Sequence, residues 1–225
     1  MTFPPCSKFL CRFFALSRET ERSVKETPFV MKVARIAVAF LLVLAASARA
    51  GEIKGTCSLR FTGVSTLHDF TGAVRCRPFS ADLVMSPDGG TRIPRVEVDV
   101  PVREMDTGND TRDGKMREMF QSDRYPVIHG IVREIDVDRI RREIGKEEGG
   151  KAFLDLTLGI RDVERTVRAA VTNFREEGSR VDFDVEFPVS LADYGLEAPS
   201  FLGIFRVRDK VAVTGNVRLE VSSKQ

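Results

Sequence analysis

Between residues 181 and 189 the apolar side chains Val181, Phe183, Val185, Phe187 and Val189 alternate without interruption with Asp182, Asp184, Glu186 and Pro188. A β-strand turns successive side chains to opposite faces, so this segment buries one face and wets the other. The same period returns in Val96, Val98, Val100 and Val102, and again in Val211, Val213, Gly215, Val217, Leu219 and Val221. Leu154, Leu156 and Leu158, then Val167, Ala169 and Val171, continue it between them. Strands with one dry face and one wet face belong to antiparallel sheets closing round an interior.

The turn chemistry divides the chain into about eight such strands. Cys57 to Gly63 reads as a strand, followed by a tight connection through residues 65–69. Phe70 to Met85 reads as one long strand bent at Arg77-Pro78, ended by the Ser86-Pro87-Asp88-Gly89-Gly90 turn. Arg92 to Met105 follows, its Pro94 and Pro101 removing ladder donors and suggesting an edge or a bulge. Strands are expected from Tyr125 to Val137, Ala152 to Ile160, Arg165 to Phe174 and Val207 to Val221, with a charged turn from Arg139 to Lys151 and an irregular stretch from Ala192 to Arg206. One segment breaks the period: Met116, Met119 and Phe120 stand at i, i+3 and i+4, which predicts a short amphipathic helix within residues 106–121, capped by Asp110 or Thr111. An up-and-down barrel of about eight antiparallel strands, with that helix plugging one end, leaves no free edge.

The amino-terminal fifty residues stand apart from this pattern. Met31-Lys32-Val33-Ala34-Arg35 is basic, Ile36 to Ala46 is apolar throughout, and Ser47-Ala48-Arg49-Ala50 supplies small residues at the positions a signal peptidase reads. This predicts a secretory signal over 31–50, cleaved after Ala50, with residues 1–30 a spurious extension upstream of a true start at Met31. The apolar run is too short for a membrane span, which needs ~20 residues, so no transmembrane segment is expected in the mature form. Residues 51–225 form one domain on this reading, exported to the periplasm.

Removing the leader changes the charge. The whole chain carries a formal +2, but its first fifty residues hold eight Lys and Arg against three Glu, leaving −3 for the rest. A nucleic-acid partner loses its main electrostatic support. Two cysteines remain, Cys57 and Cys76, and an even pair in an oxidising compartment reads as a disulfide. A hairpin centred on Thr66-Leu67 would set Cys57 opposite Cys76, Leu59 opposite Val74 and Phe61 opposite Gly72.

Catalytic chemistry finds few residues to use. Only His68 and His129 are present, and neither stands with a serine and an acid as a triad would. Two scattered histidines without a third ligand make no metal site. Residues 106–113 look superficially like a calcium loop but lack its glycine, and an arginine falls where a neutral carbonyl donor belongs. Asp182, Asp184 and Glu186 share one outward face, as solubilising charge does. No enzyme activity and no cofactor are expected.

Four segments together resemble the YceI-like family of exported bacterial lipid-binding proteins. They are Leu59-Arg60-Phe61 leading into Ser65 through Gly72; Thr107 to Arg117 followed by Met119 to Ile128; Leu156 to Ile160 before Thr166-Val167; and Val189 to Leu196 before the last strand. The resemblance implies a lipocalin-like barrel whose lumen accepts a long apolar chain, typically an isoprenoid. Many relatives carry a histidine where this chain has Ser65, and an aromatic where it has Gly130, so ligand identity does not carry over.

The expected ligand-binding set is the inward face of the strands and the helix. It comprises Phe61, Leu154, Leu156, Leu158, Val171 and Phe183, joined by Val185, Phe187 and Val213, with Met116, Met119 and Phe120 covering one end. Arg112 or Arg206 would meet an anionic head group. The partner expected is a long-chain isoprenoid or other amphiphilic lipid. The same residues would equally form the solid core of an envelope interaction module acting through its outer surface, and periodicity does not separate lining from packing.

Overall fold

The computed structural model describes residues 49–65, 69–146, 150–197, 200–201 and 205–222. The strands are β1 (Arg49–Ser65), β2 (Phe70–Arg75), β3 (Phe79–Met85), β4 (Thr91–Pro101), β5 (Val127–Asp136), β6 (Ala152–Ile160), β7 (Val163–Glu177), β8 (Arg180–Ser190), β9 (Ser200–Phe201) and β10 (Phe205–Ser222). Among the described residues two α-helices, α1 (Asp110–Phe120) and α2 (Val137–Ile144), interrupt them.

Every pairing between named strands is antiparallel. The order β1-β3-β4-β5-β6-β7-β8-β10 closes on itself because β10 also pairs with β1. This is an eight-stranded barrel, and closure satisfies the backbone of both would-be edges. β2 continues the line of β3 along β1: β1 pairs β3 through Arg49–Gly55 and β2 through Ser58–Gly63. The break between them falls at Arg77-Pro78, where the sequence predicts a bend.

The expected register holds. Leu59 faces Val74 and Phe61 faces Gly72. One step further along, Cys57 and Cys76 form a disulfide with Cα atoms 5.3 Å apart, and the Cys76 amide donates to the Cys57 carbonyl at 3.1 Å. On the outer face Asp182 sits opposite Arg218 and Asp184 opposite Asn216. Arg218 Nε donates to Asp182 at 2.8 Å, and Arg180 Nε lies 2.9 Å from the same carboxylate. These bonds hold the Asp182 carboxyl below the usual aspartate range.

Five expectations are corrected. The segment read as a charged turn from Arg139 begins with the helix α2; Asp136 caps it by accepting from the Arg139 amide at 2.8 Å. Its apolar residues Val137, Ile140 and Ile144 form one stripe, hidden among arginines, and Ile140 packs with Ala152 and Val171. The cap of α1 is Asn109, whose side chain accepts from the Arg112 amide, rather than Asp110 or Thr111. β4 is not an edge despite its prolines: it pairs β5 along its length and β3 at Thr91 and Arg92, just before Pro94 ends that ladder. It also stops at Pro101, giving way to a 3-10 turn over Val102–Glu104. The first strand opens at Arg49 rather than Cys57.

The two helices mark opposite ends of the barrel. α2 follows the end of β5, beside the β3–β4 turn and the β7–β8 hairpin; α1 follows the end of β4, beside the β6–β7 turn and the end of β8. No helix among the described residues is long and apolar enough to cross a membrane.

Candidate functional site

The barrel is hollow along most of its length. A chamber of about 540 Å³ runs from the α2 end towards the middle. Its wall is made by alternate residues of the strands, among them Ile93, Val96, Leu154, Leu156, Val171 and Phe183. Several of these inward side chains, Leu154, Leu156, Phe183 and Val185 among them, are only half-buried. Each packs against a neighbouring core cluster on one side and borders the chamber with the rest of its surface.

A second, smaller chamber of about 130 Å³ lies at the α1 end. Phe61, Met116, Met119, Phe120 and Val213 line it, beneath the helix. All twelve residues expected to line the interior border one chamber or the other. The expected ligand-binding set does not include Phe79, Ile93, Val132 or Ile140, which share the larger wall, nor Leu219, which the strand period places on the inward face. The strand residues among them were accessible by extending each strand's period; Ile140 was not, because its helix was unrecognised.

Flat aromatic packing keeps the lumen open. Phe61, Phe70 and Phe79 each stand opposite a glycine on the adjoining strand: Gly72, Gly63 and Gly55. A methyl group at any of these glycines would fall within 2.5 Å of the ring tip. Each ring therefore lies along the wall over the bare backbone, rather than projecting across the lumen.

The two openings differ chemically. At the α2 end the larger chamber is bordered by Thr91, Arg141, Glu176, Gly178 and Ser179. Arg141 reaches from α2 to the β7–β8 hairpin, donating to Glu176 at 2.5 and 3.1 Å, so the mouth carries a neutralised ion pair. At the α1 end Arg112 is the one charged side chain lining the smaller chamber among the described residues. Its guanidinium stands 5.0 Å from the Phe70 ring centroid and donates to the Thr107 hydroxyl and carbonyl, each at 2.8 Å. Thr107 is held in turn by buried Asp113, which accepts from its amide at 3.1 Å and from its hydroxyl. The residues that mimic a calcium loop thus serve to cap α1 and fix Arg112. The other expected head-group residue, Arg206, lies on β10, but its side chain falls outside the described residues, as does all of His68.

The turn after β8 shuts the same end. Asp209 accepts from the Ser190 hydroxyl and the Ala192 amide, both at 2.7 Å. Those bonds hold its carboxyl below the ordinary range. They anchor the 3-10 turn Ala192–Tyr194, which buries Tyr194. Burial raises the Tyr194 pKa, and its hydroxyl has no hydrogen-bond partner among the described residues.

His129 faces outward, its Nδ1 2.8 Å from Asp99. Among the described residues no group of three or more His, Cys, Asp or Glu could hold a metal ion. An open surface hollow of about 660 Å³ beside α1 is lined only by polar and charged residues such as Arg103, Arg117, Gln121 and Arg124, so it offers no apolar wall.

A family model described as "YceI-like domain" matches residues 49–222. Among solved structures, a polyisoprenoid binding domain from Saccharophagus degradans, implicated in plant cell wall breakdown, aligns with a TM-score of 0.57 at 18% identity, over 77% of this chain and 99% of its own. BcnA from Burkholderia cenocepacia aligns with a TM-score of 0.53 at 17% identity, over 72% of this chain and 95% of its own. No curated protein matches significantly. At these identities the structural likenesses establish the shared barrel.

Proposed function

The chain belongs to the YceI-like family, and from that premise we propose that it binds an isoprenoid or similar amphiphilic lipid inside the barrel, without transforming it. The observation that carries this reading is the pair of apolar chambers, walled by the inward faces of the strands and the inner side of α1. A chamber of about 540 Å³ falls within the range of ligand sites. Apolar walls supply affinity through buried area, at ~25 cal/mol per Å², and need few hydrogen bonds. That the Saccharophagus degradans neighbour is a polyisoprenoid binding domain supports the ligand class.

The protein acts on this reading as a carrier or sequestering protein of the periplasm, delivered there by the signal over residues 31–50 with cleavage after Ala50. The disulfide between Cys57 and Cys76 is consistent with an oxidising compartment. On this reading Arg112, which borders the smaller chamber, meets a polar or anionic head at the α1 end.

The test is mass spectrometry of an organic-solvent extract of the protein purified from its native host. Recovery of a stoichiometric long-chain lipid supports the carrier. Repeatedly empty protein, with no affinity for added prenyl alcohols, overturns it in favour of a module acting through its outer surface.

A further inference from the structure

The two chambers do not join freely. Four side chains border both: Leu59, Val100, Leu158 and Phe187. They come from β1, β4, β6 and β8, every second strand round the barrel as the chain is followed from β4. Inward residues of alternate strands stack as layers across a barrel, so these four form one cross-section of the lumen. Val100, Leu158 and Phe187 are each only 7% exposed and belong to one packed core cluster, against which Leu59 also packs.

Of the four, Leu59 alone is half-buried rather than buried. Opposite it stands Gly215 on β10, and a methyl group there would lie 2.5 Å from Leu59 Cδ2 and 3.1 Å from Val185 Cγ2. The missing side chain leaves a notch in the wall into which Leu59 leans. Val100 is β-branched and stiff at χ1. The backbone at this level is pinned: the Cys57–Cys76 disulfide lies two residues from Leu59, and the Arg77 amide donates to the Asp99 carbonyl at 2.8 Å beside Val100. Opening the constriction is therefore a matter of side-chain rotation, which is fast and costs little compared with moving paired strands.

We propose that Leu59, seated in the Gly215 notch, is the movable leaf of an internal gate that sets how long a hydrocarbon tail the barrel accepts. The proposal rests on the lipid-binding reading above and specifies its ligand. At roughly 30 Å³ per heavy atom, the larger chamber alone holds roughly 18 heavy atoms. A short tail fills it without disturbing the layer. A longer one must thread past Leu59 into the chamber beneath α1, so the conformation of one side chain decides between two classes of ligand.

Two substitutions of opposite sign test this in delipidated full-length mature protein, using geraniol (about eleven heavy atoms) and geranylgeraniol (about twenty-one, more than the larger chamber holds but within the two together) as probes. Leu59→Ala removes the leaf and is expected to tighten geranylgeraniol about tenfold while geraniol changes less than about twofold. Gly215→Ala fills the notch, drives Leu59 across the lumen and is expected to weaken geranylgeraniol about tenfold, again sparing geraniol. Val98→Ala, in the larger chamber only, should shift both probes by a similar factor. An unchanged affinity ratio in Leu59→Ala overturns the gate while leaving lipid binding intact, and so does a change of ratio in Val98→Ala as large as that in Leu59→Ala. Failure of the wild-type protein to bind either probe overturns the lipid reading itself and the gate with it.

Discussion

Phe61 lies flat on Gly72. The two face each other across β1 and β2, and a methyl group on Gly72 would come within 2.2 Å of Phe61 Cζ and 2.8 Å of Thr107 Cγ2. Gly72→Ala should push the ring off the wall into the smaller chamber. We expect a destabilisation of about 1–3 kcal/mol, typical of overpacking, together with weaker binding of long prenyl probes. Chemical denaturation and probe titration on the same sample check both; an unaltered stability would show that the ring does not depend on the bare backbone beneath it.

The disulfide ties residues 19 apart in sequence. In the chain-entropy view, a link over a loop of that size stabilises by ~3 kcal/mol. Replacing both cysteines by alanine should lower the urea midpoint accordingly without changing the barrel's far-ultraviolet circular dichroism. Reduction of the wild-type protein should reproduce the shift. A reduced protein as stable as the oxidised one would count against this contribution.

Much of the architecture was legible because a two-residue period is local. Val181 to Val189 declares its inward face without reference to any other strand, and the Cys57–Cys76 register follows from one turn. The Met116–Met119–Phe120 spacing likewise announced α1. α2 was missed because its three apolar residues sit among Arg139, Arg141, Arg142 and Glu143, and its buried stripe makes sense only against Ala152 and Val171. The site posed a different difficulty. Leu156 and Leu158 are neighbours in one inward row, yet one borders only the larger chamber and the other also belongs to the constriction. That distinction depends on how β1, β4 and β8 are staggered against β6, which no single strand encodes.

Asp113 is 4% exposed and is the acceptor for Thr107, which in turn holds Arg112. Asp113→Ala leaves the Thr107 amide without that partner in a partly buried place. The expected cost is about 1–3 kcal/mol, and Asp113→Asn, which keeps one acceptor oxygen, should cost less. Guanidinium denaturation of the two variants checks the order; equal losses would point to charge rather than the hydrogen bonds.

Asp209 links stability to pH. Its carboxyl is held below the ordinary value, first by the Ser190 hydroxyl and then by the Ala192 amide. The unfolded chain therefore takes up this proton at a higher pH than the folded one. The stabilisation is fully present above the unfolded value of about 3.9 and is lost as pH falls through the lower folded value. The group is exposed, so solvent screening keeps the effect under about 1 kcal/mol. Stability measured from pH 6 to pH 2 should fall less steeply in Asp209→Asn than in the wild type; parallel curves would remove Asp209 from the account.

The ion pair between Arg141 and Glu176 spans the mouth of the larger chamber, its side chains 44% and 39% exposed. At that exposure it contributes little to stability, so Glu176→Ala should change the unfolding free energy by less than about 1 kcal/mol. Its effect should appear instead in exchange. Arg141 is carried by α2 and Glu176 by the β7–β8 hairpin, so the bond ties together the two elements that must part for a wide ligand to pass. Glu176→Ala should therefore speed release of a fluorescent prenyl alcohol, and high salt should do the same to the wild type by weakening the pair. In the variant the pair across the mouth is gone and Arg141 keeps only Asp138 within its own helix, so salt should have little further effect on release. Stopped-flow release at low and high ionic strength reads both, and an equal salt response in the two proteins would show that ligand leaves by another route.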